Sequence, residues 1–262
     1  MKSFAILSTS FMLSACVTTG GRVDTLNIYN KSPIQIGAEV FKADKLPAPT
    51  VLVMHGCGGV DAHHLQWANQ LRQWGFNAVV IDSFTTRSVS SACTKVMNVP
   101  PLQRAIDAHL AAKWVMSQEW SEKKVGVLGF SHGAWATLYA STQQDAEREI
   151  GASYLTSAVA FYPYCETSLN FLSRKLPLQI HIGQDDDWTP ATMCKDLARN
   201  WNLGENHFEY ERAHHGFDRL NTDQSVQGTD GGALRMRTLR SDPQANRAAR
   251  GHVRQFFDKT LR

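Results

Sequence analysis

The stretch VGVLGFSHG, residues 125–133, decides the fold because a buried strand pattern runs directly into a sharp turn. The apolar run over residues 125–128 is typical of a strand that is covered on both faces. The turn Gly129-Phe130-Ser131-His132-Gly133 has the form Gly-x-Ser-x-Gly, and a helical pattern follows it. Its glycines allow a tight turn that presents the serine at the tip. An ordinary glycine-rich turn between a strand and a helix is the alternative.

Similar apolar runs and helical patterns alternate on both sides of this stretch. The runs predict strands over residues 50–54, 77–81, 125–128, 157–161, 178–182 and 208–210. Helices are predicted over residues 64–74, 101–118, 134–141, 191–201 and 243–261. This alternation predicts an α/β fold with a mostly parallel central sheet and helices on both faces. Residues 34–42 predict an additional antiparallel strand at the N-terminal side.

Composition favours one large folded domain and disfavours a nucleic-acid-binding protein. The chain has 262 residues, 43% of them hydrophobic, with a formal net charge of +3. Arginines near the C-terminus are interleaved with other residues, which is typical of a solvated helix face. Residues 85–100 and 221–241 are predicted to be long loops at the rim of a binding site. The sequence predicts no cofactor.

The first residues predict export and a lipid anchor. Lys2 precedes a short apolar stretch over residues 4–13, which is typical of a signal peptide. The sequence Leu-Ser-Ala-Cys at residues 13–16 resembles the lipobox of bacterial lipoproteins. We therefore expect a signal peptide over residues 1–15, a lipidated Cys16 with a flexible tether over residues 16–28, and one domain over residues 29–262. A simple signal peptide is the alternative.

The residue after Cys16 is Val17, whereas an aspartate at this position would suggest retention at the inner membrane. We therefore expect an outer-membrane address that faces the periplasm. Cys57, Cys93, Cys165 and Cys194 would then lie in an oxidising compartment, where four cysteines allow three pairings. The predicted strand order places Cys57 near Cys93 and Cys165 near Cys194, each in loops that follow neighbouring strands. Free buried thiols are the alternative.

Two further segments supply partners for a serine nucleophile. A serine hydroxyl needs an imidazole to take its proton and a carboxylate to orient that imidazole. The sequence GQDDDWTP, residues 183–190, and the sequence AHHGF, residues 213–217, both follow predicted strands, where open α/β sheets place their sites. Several aspartates and two histidines stand there, so Asp185 and His214 compete with Asp186 and His215.

An oxyanion intermediate needs backbone donors near the serine. We expect one from the amide of His132. The other is expected from the loop His55-Gly56-Cys57-Gly58-Gly59, although a plain glycine turn is the alternative there.

With these motifs in place, the chain resembles the dienelactone hydrolase family of α/β-hydrolases over nearly all of its exported part. The resemblance assigns the acid to Asp186, the base to His215 and the first oxyanion amide to Cys57. The enzymes that gave the family its name use a cysteine nucleophile and a nearby glutamate, which Gly56 replaces here. The chain therefore resembles the serine-bearing branch of the family.

Other residues are candidates for substrate contact. Arg87 is expected either to bind a substrate carboxylate or to form a structural ion pair. Aromatic residues are expected to line a substrate pocket or to belong to the core: Phe130, Tyr162, Tyr164, Trp188 and Phe217. A zinc site formed by His55, Asp186, His214 and His215 is disfavoured, because no metal-binding helix motif supports it.

The expected function is hydrolysis of a small carboxylic ester or lactone by Ser131, His215 and Asp186 through an acyl-enzyme. The same residues would serve for a thioester or an amide. The alternatives are an acyltransferase and a catalytically silent, surface-anchored binding protein of the same fold. No protein partner is predicted, and membrane contact is expected only through Cys16.

Overall fold

A single sheet of eight strands forms the centre of the protein in the computed structural model, which describes residues 22–30, 32–229 and 232–262. Its strands are β1 (Arg22–Asn30), β2 (Ser32–Phe41), β3 (Ala48–Met54), β4 (Asn77–Asp82), β5 (Ser121–Phe130), β6 (Ser157–Phe161), β7 (Leu178–Gly183) and β8 (His207–Tyr210). They lie in the order β1-β2-β4-β3-β5-β6-β7-β8. Strand β2 pairs antiparallel with β1 and β4, and the other pairings are parallel.

Helices cover both faces of the sheet. They are α1 (Ala62–Gln73), α2 (Pro101–Met116), α3 (His132–Thr142), α4 (Gln144–Ile150), α5 (Ala191–Asn200) and α6 (Pro243–Leu261). Successive residues of a strand point to opposite faces. Leu52 and Met54 of β3 accordingly pack with α2, α3 and α5, whereas Val51 and Val53 pack with α1 and α6. None of the described helices is long and apolar enough to cross a membrane.

This architecture is the predicted α/β-hydrolase fold. Each predicted strand and helix is present, with ends shifted by a few residues, and the N-terminal strand is antiparallel as expected. One boundary is wrong. Residues 22–28 belong to β1, which pairs with β2, so they are part of the sheet and not of a tether. The predicted signal peptide and Cys16 lie outside the described residues.

Besides β1, one helix and one hairpin were not predicted. Helix α4 is short and mostly polar, so it gave no periodic signal. The segment 221–241, predicted to be a loop, contains a hairpin of β9 (Asp223–Gly228) and β10 (Arg235–Arg240). Its strands are largely exposed and polar, which hides the alternation that identifies a strand.

Both predicted disulfides are confirmed. Cys57 bonds to Cys93, joining the loops that follow β3 and β4. Cys165 bonds to Cys194, joining the loop after β6 to α5. Each bond therefore links segments at the carboxyl ends of the parallel strands, which is the edge where the candidate site lies.

Helix α6 packs closely against β5 at a glycine. A Cβ atom added to Gly126 would lie 2.9 Å from Phe257 Cε1 and 3.0 Å from Leu261 Cδ1. The absence of a side chain therefore sets how near the helix comes to the central strand.

We predict that Gly126→Ala lowers the free energy of unfolding by about 1–3 kcal/mol, because the added methyl overpacks this contact. Thermal or urea unfolding measures the change. Gly251→Ala on the open side of the same helix is the matched control, since a Cβ there meets nothing within 4 Å. It should stabilise the protein by about 0.5–1 kcal/mol. A destabilisation of equal size in both variants would contradict the packing argument.

Candidate active site

The turn between β5 and α3 holds Ser131 in an unusual backbone conformation. Its φ is 53° and its ψ is −116°, a region that residues with side chains seldom adopt. Side chains at the two flanking glycines would clash, at Gly129 with Thr137 and at Gly133 with the carbonyl of Met54. The Gly-x-Ser-x-Gly pattern is thus the one that lets β3, β5 and α3 approach this closely.

Three side chains from different loops form a continuous hydrogen-bonded chain. The Ser131 hydroxyl lies 2.8 Å from His215 Nε2, and His215 Nδ1 lies 2.8 Å from Asp186 Oδ2. Because the carboxylate can only accept, Nδ1 carries the proton and Nε2 is free to accept from the serine. The three residues follow β5, β8 and β7 respectively, at one edge of the sheet.

Asp186 is held by its own loop. Its Oδ1 accepts the amides of Trp188 at 2.9 Å and Thr189 at 2.8 Å. The Thr189 hydroxyl donates to Oδ2 at 2.9 Å and lies 3.2 Å from His215 Nδ1. Thr189, which sequence analysis did not single out, therefore fixes the orientation of the carboxylate.

The competing residues occupy other positions. Asp185 is exposed, and its amide donates to the carbonyl of Ala213. Asp187 accepts from the amide and hydroxyl of Thr238 on β10. His214 Nε2 lies 3.2 Å from Arg240. The structure thus brings Asp186 and His215, and not their neighbours, to Ser131.

The two segments expected to supply oxyanion donors both adjoin Ser131. His132 is the first residue of α3, where backbone amides have no acceptor within the helix. A Cβ at Gly56 would lie 3.5 Å from the Cβ of Ser131, so the glycine loop approaches the serine closely. The adjacent Cys57 is anchored by its disulfide and by the amide of Ala92, which donates to its carbonyl at 2.8 Å.

Arg104, a buried residue of α2, holds these two segments together. Its guanidinium donates to the carbonyl of His55 at 2.7 Å and to His132 Nδ1 at 2.8 Å. His132 Nε2 in turn donates to the carbonyl of Val96 at 2.8 Å. Burial lowers the pKa of Arg104 to about 9, and burial with the nearby Arg104 charge lowers the pKa of His132 to about 3. His132 is therefore neutral and has one defined tautomer.

Asp218 is the centre of a second buried network beneath the site. It accepts hydrogen bonds from His63 at 2.7 Å, Trp67 at 2.6 Å and Tyr162 at 2.8 Å. Burial alone would raise the pKa of this carboxyl, but the charge of His63 and the three hydrogen bonds hold its pKa well below the ordinary value. Burial and Asp218 together raise the pKa of Tyr162, which stays protonated and donates.

A cavity of about 220 Å³ opens beside Ser131 and His215. The glycine loop, Tyr162 and Trp188 form part of its wall, and Gln224, Val226 and Leu239 of the β9–β10 hairpin form another part. The hairpin is attached to this wall, because Trp188 Nε1 donates to the carbonyl of Thr229 at 3.1 Å. Tyr162 and Trp188 are thus placed where substrate contact was expected, and that contact stays a prediction.

Two candidate contact residues lie elsewhere. Phe217 is fully buried and packs against Tyr162 and Tyr210, so it is a core residue. Arg87 donates to both carboxylate oxygens of Asp107, at 2.9 and 2.8 Å. Arg87 therefore forms the structural ion pair and not a substrate contact.

The four residues considered for zinc do not form a group. His55 faces Gly56 and Ser83, and His214 faces Arg240. Within the described ranges, the residues with metal-ligand spacing are Asp61, His63 and His64. Contacts with Arg219 and Asp218 already engage Asp61 and His63, so hydrogen bonds account for this cluster.

The chain is similar to known proteins in sequence pattern and in fold. A model of the dienelactone hydrolase family matches residues 36–261. Similar solved structures include a dienelactone hydrolase from Anabaena variabilis, at 16% identity and a TM-score of 0.64 over 93% of this chain and 100% of that one. Thermogutta terrifontis esterase 2 phosphonylated by cyclosarin has 16% identity and a TM-score of 0.68 over 92% and 95%. A dienelactone hydrolase-like promiscuous phosphotriesterase from metagenomic libraries has 17% identity and a TM-score of 0.64 over 93% and 99%.

At these identities the likeness to solved structures shows the fold. No curated protein sequence matches the chain significantly.

We predict that Asp218→Asn lowers the free energy of unfolding near neutral pH by about 3–5 kcal/mol, because it leaves the buried partners of the carboxylate uncompensated. The folded carboxyl has a pKa below its unfolded value of about 3.8, so it contributes stability above that pH. This contribution is lost as the pH falls toward the folded value. The stability gap between the two proteins should therefore be nearly constant from about pH 7 to about pH 5 and should narrow as the pH falls from there to about pH 2.

Thermal unfolding of both proteins across this pH range measures the gap. Asp44→Asn, which alters an exposed ion pair with Arg72, is the control and should melt like the parent. A gap that is constant with pH would show that the charge of Asp218 is not what stabilises the network.

Proposed function

Because the chain belongs to the dienelactone hydrolase family, we propose that it is a serine hydrolase that cleaves a carboxylic ester or lactone through an acyl-enzyme. The observation that carries this proposal is the hydrogen-bonded chain from Ser131 through His215 to Asp186, which ends at the wall of an open cavity. Such a chain is what activates an otherwise weak serine nucleophile.

In the proposed acylation step, Ser131 Oγ attacks the carbonyl carbon while His215 Nε2 takes the hydroxyl proton. Asp186 orients the ring and stabilises the imidazolium. The carbonyl oxygen becomes an oxyanion, which the amides of Cys57 and His132 stabilise. The C–O bond to the alcohol then breaks as His215 returns the proton to the leaving oxygen, and Ser131 is left acylated.

In deacylation, water takes the place of the alcohol. His215 accepts a proton from the water as its oxygen attacks the acyl carbon, and it then protonates Ser131 Oγ as the acid leaves. A thioester or an amide would pass through the same steps. An acyltransferase would differ only in that an alcohol or amine attacks in place of water.

The rigidity of the site favours an enzyme over a silent binding protein. A protein that only binds would not need Ser131 in a strained backbone, nor a carboxylate fixed by Thr189 behind the histidine. The similar solved structures include Thermogutta terrifontis esterase 2 phosphorylated by paraoxon. Paraoxon is therefore a suitable probe of the proposed nucleophile in this chain.

We predict that the protein hydrolyses p-nitrophenyl acetate and that Ser131→Ala reduces kcat/KM to background, because the nucleophile is lost. Asp186→Asn should reduce kcat by about ten-thousand-fold, as loss of the orienting acid does in a known triad. Paraoxon should inactivate the parent and leave a diethylphosphoryl group on Ser131, as peptide mass spectrometry would show.

Neighbouring residues provide the matched controls. Asp185→Asn and His214→Gln should retain the parent activity, whereas His215→Gln should not. If a folded parent hydrolyses no ester and resists paraoxon, the binding-protein alternative gains support. If Asp185→Asn is the damaging change, the acid has been misassigned. Added alcohol acceptors and product analysis distinguish acyl transfer from hydrolysis.

We further propose that the protein is exported and anchored in the cell envelope, at the periplasmic side of the outer membrane, by lipid on Cys16. The order of Lys2, an apolar stretch and Leu-Ser-Ala-Cys supports this proposal. Two disulfides in the domain are also typical of an oxidising compartment.

We predict that bacteria expressing the full chain incorporate radiolabelled palmitate into it and that Cys16→Ala removes the label, because acylation requires this thiol. Ser14→Ala keeps a small residue in the same motif and should retain the label. Labelling that is absent from the parent, or unchanged in Cys16→Ala, would contradict the anchor.

A further inference from the structure

Two cavities of different size meet at Ser131. The larger is the cavity of about 220 Å³ described above, and the smaller, which also adjoins Ser131, measures about 30 Å³. One water molecule needs about 10–15 Å³ of such space, so the smaller cavity accommodates only one or two groups of methyl size. We call it the small pocket.

The chemistry of the proposed reaction assigns one half of an ester to each cavity. His215 lines the larger cavity and not the small pocket, whereas His132 lines the small pocket and not the larger cavity. His215 must protonate the leaving alcohol, so the alcohol lies on the His215 side. The acyl chain extends from the other side of the carbonyl carbon. The small pocket is the space that can take it, beside the oxyanion donors Cys57 and His132 and against Trp135.

The walls of the small pocket are held in place. Trp135 Nε1 donates to the carboxylate of Glu166 at 2.8 Å, which fixes the indole. The ring of His132 is fixed between Arg104 and the carbonyl of Val96. Trp188 is fixed by its bond to Thr229. Because these side chains are bonded and buried, enlarging the pocket would break contacts and not merely rotate a side chain.

We propose that the small pocket is the acyl site and that it restricts the enzyme to acetyl- or propionyl-sized acyl groups, with Trp135 as the residue that sets this limit. The inference rests on the proposed serine hydrolase function. A butyryl group adds two methylenes for which the small pocket has no room. The larger cavity, which Asp61, His64 and Arg219 help to line, leaves space for a bulkier alcohol.

The test is a series of p-nitrophenyl esters from acetate through propionate and butyrate to hexanoate, which share one leaving group. With rates normalised to hydroxide-catalysed hydrolysis, kcat/KM should fall by about tenfold or more from acetate to butyrate, as expected for a hydrophobic pocket that excludes an extra group. Trp135→Ala should raise butyrate relative to acetate by about tenfold, because it opens the pocket.

Two further variants keep the test decisive. Val96→Ala removes less of the small-pocket wall and should shift the preference in the same direction by a smaller factor, which covers the case in which Trp135→Ala fails to fold. Leu239→Ala enlarges only the larger cavity, so its acetate-to-butyrate ratio should equal that of the parent even where its absolute rate differs.

The outcomes separate the inference from the function on which it rests. Equal rates on acetate and butyrate in the parent, lost in Ser131→Ala, would overturn the acyl limit and leave the serine hydrolase in place. An equal shift of the ratio in Leu239→Ala and Trp135→Ala would overturn the assignment of the two cavities. Ester hydrolysis that survives in Ser131→Ala would overturn the proposed function itself.

Discussion

The left-handed backbone of Ser131 is the constraint on which the rest of the site depends. This conformation requires that α3 begin almost in contact with β3 and β5, and that contact requires glycine at positions 129 and 133. The glycines place the serine hydroxyl above the sheet edge, where the loops after β7 and β8 also end. The backbone strain at Ser131 is tolerated because the central strand and the hydrophobic cores on both faces of the sheet hold the turn in place. The hydrogen-bonded chain to Asp186 is thus a consequence of backbone geometry.

Buried charge holds the site in place beneath that turn. Arg104 joins the glycine loop to the first residue of α3, and Asp218 joins α1 to the wall that contains Tyr162. Each charge makes several hydrogen bonds to named partners, and such buried networks favour one arrangement over others. The precision of the candidate site therefore depends on residues that would not touch a substrate.

Much of the fold and part of the site could be predicted from the sequence, for identifiable reasons. Strands buried on both faces give continuous apolar runs. The Gly-x-Ser-x-Gly pattern indicates a tight turn between a strand and a helix that leaves no room for side chains at the two glycine positions. Arg104 and Asp218 could not be predicted as supports, because an isolated charge in a sequence does not reveal whether it is buried. The hairpin was missed because its strands are solvated. Phe217 was left open between core and cavity, because an aromatic residue at a strand end suits both equally. The spacing of the motif alone did not decide whether Asp186 or Asp185 is the acid that orients the histidine.

The β9–β10 hairpin has a consequence for how this protein can change over evolutionary time. It is inserted after the last strand of the sheet, contributes side chains to the larger cavity, and carries none of the three hydrogen-bonded residues. Mutations at its cavity-facing positions would reshape one side of the entrance, whereas Thr238 and Arg240 of β10 bond the loops of Asp187 and His215 and are not free to change in the same way. A change in the compounds that enter the cavity can therefore begin at a few exposed positions of this ribbon, without any change in the Ser131 turn.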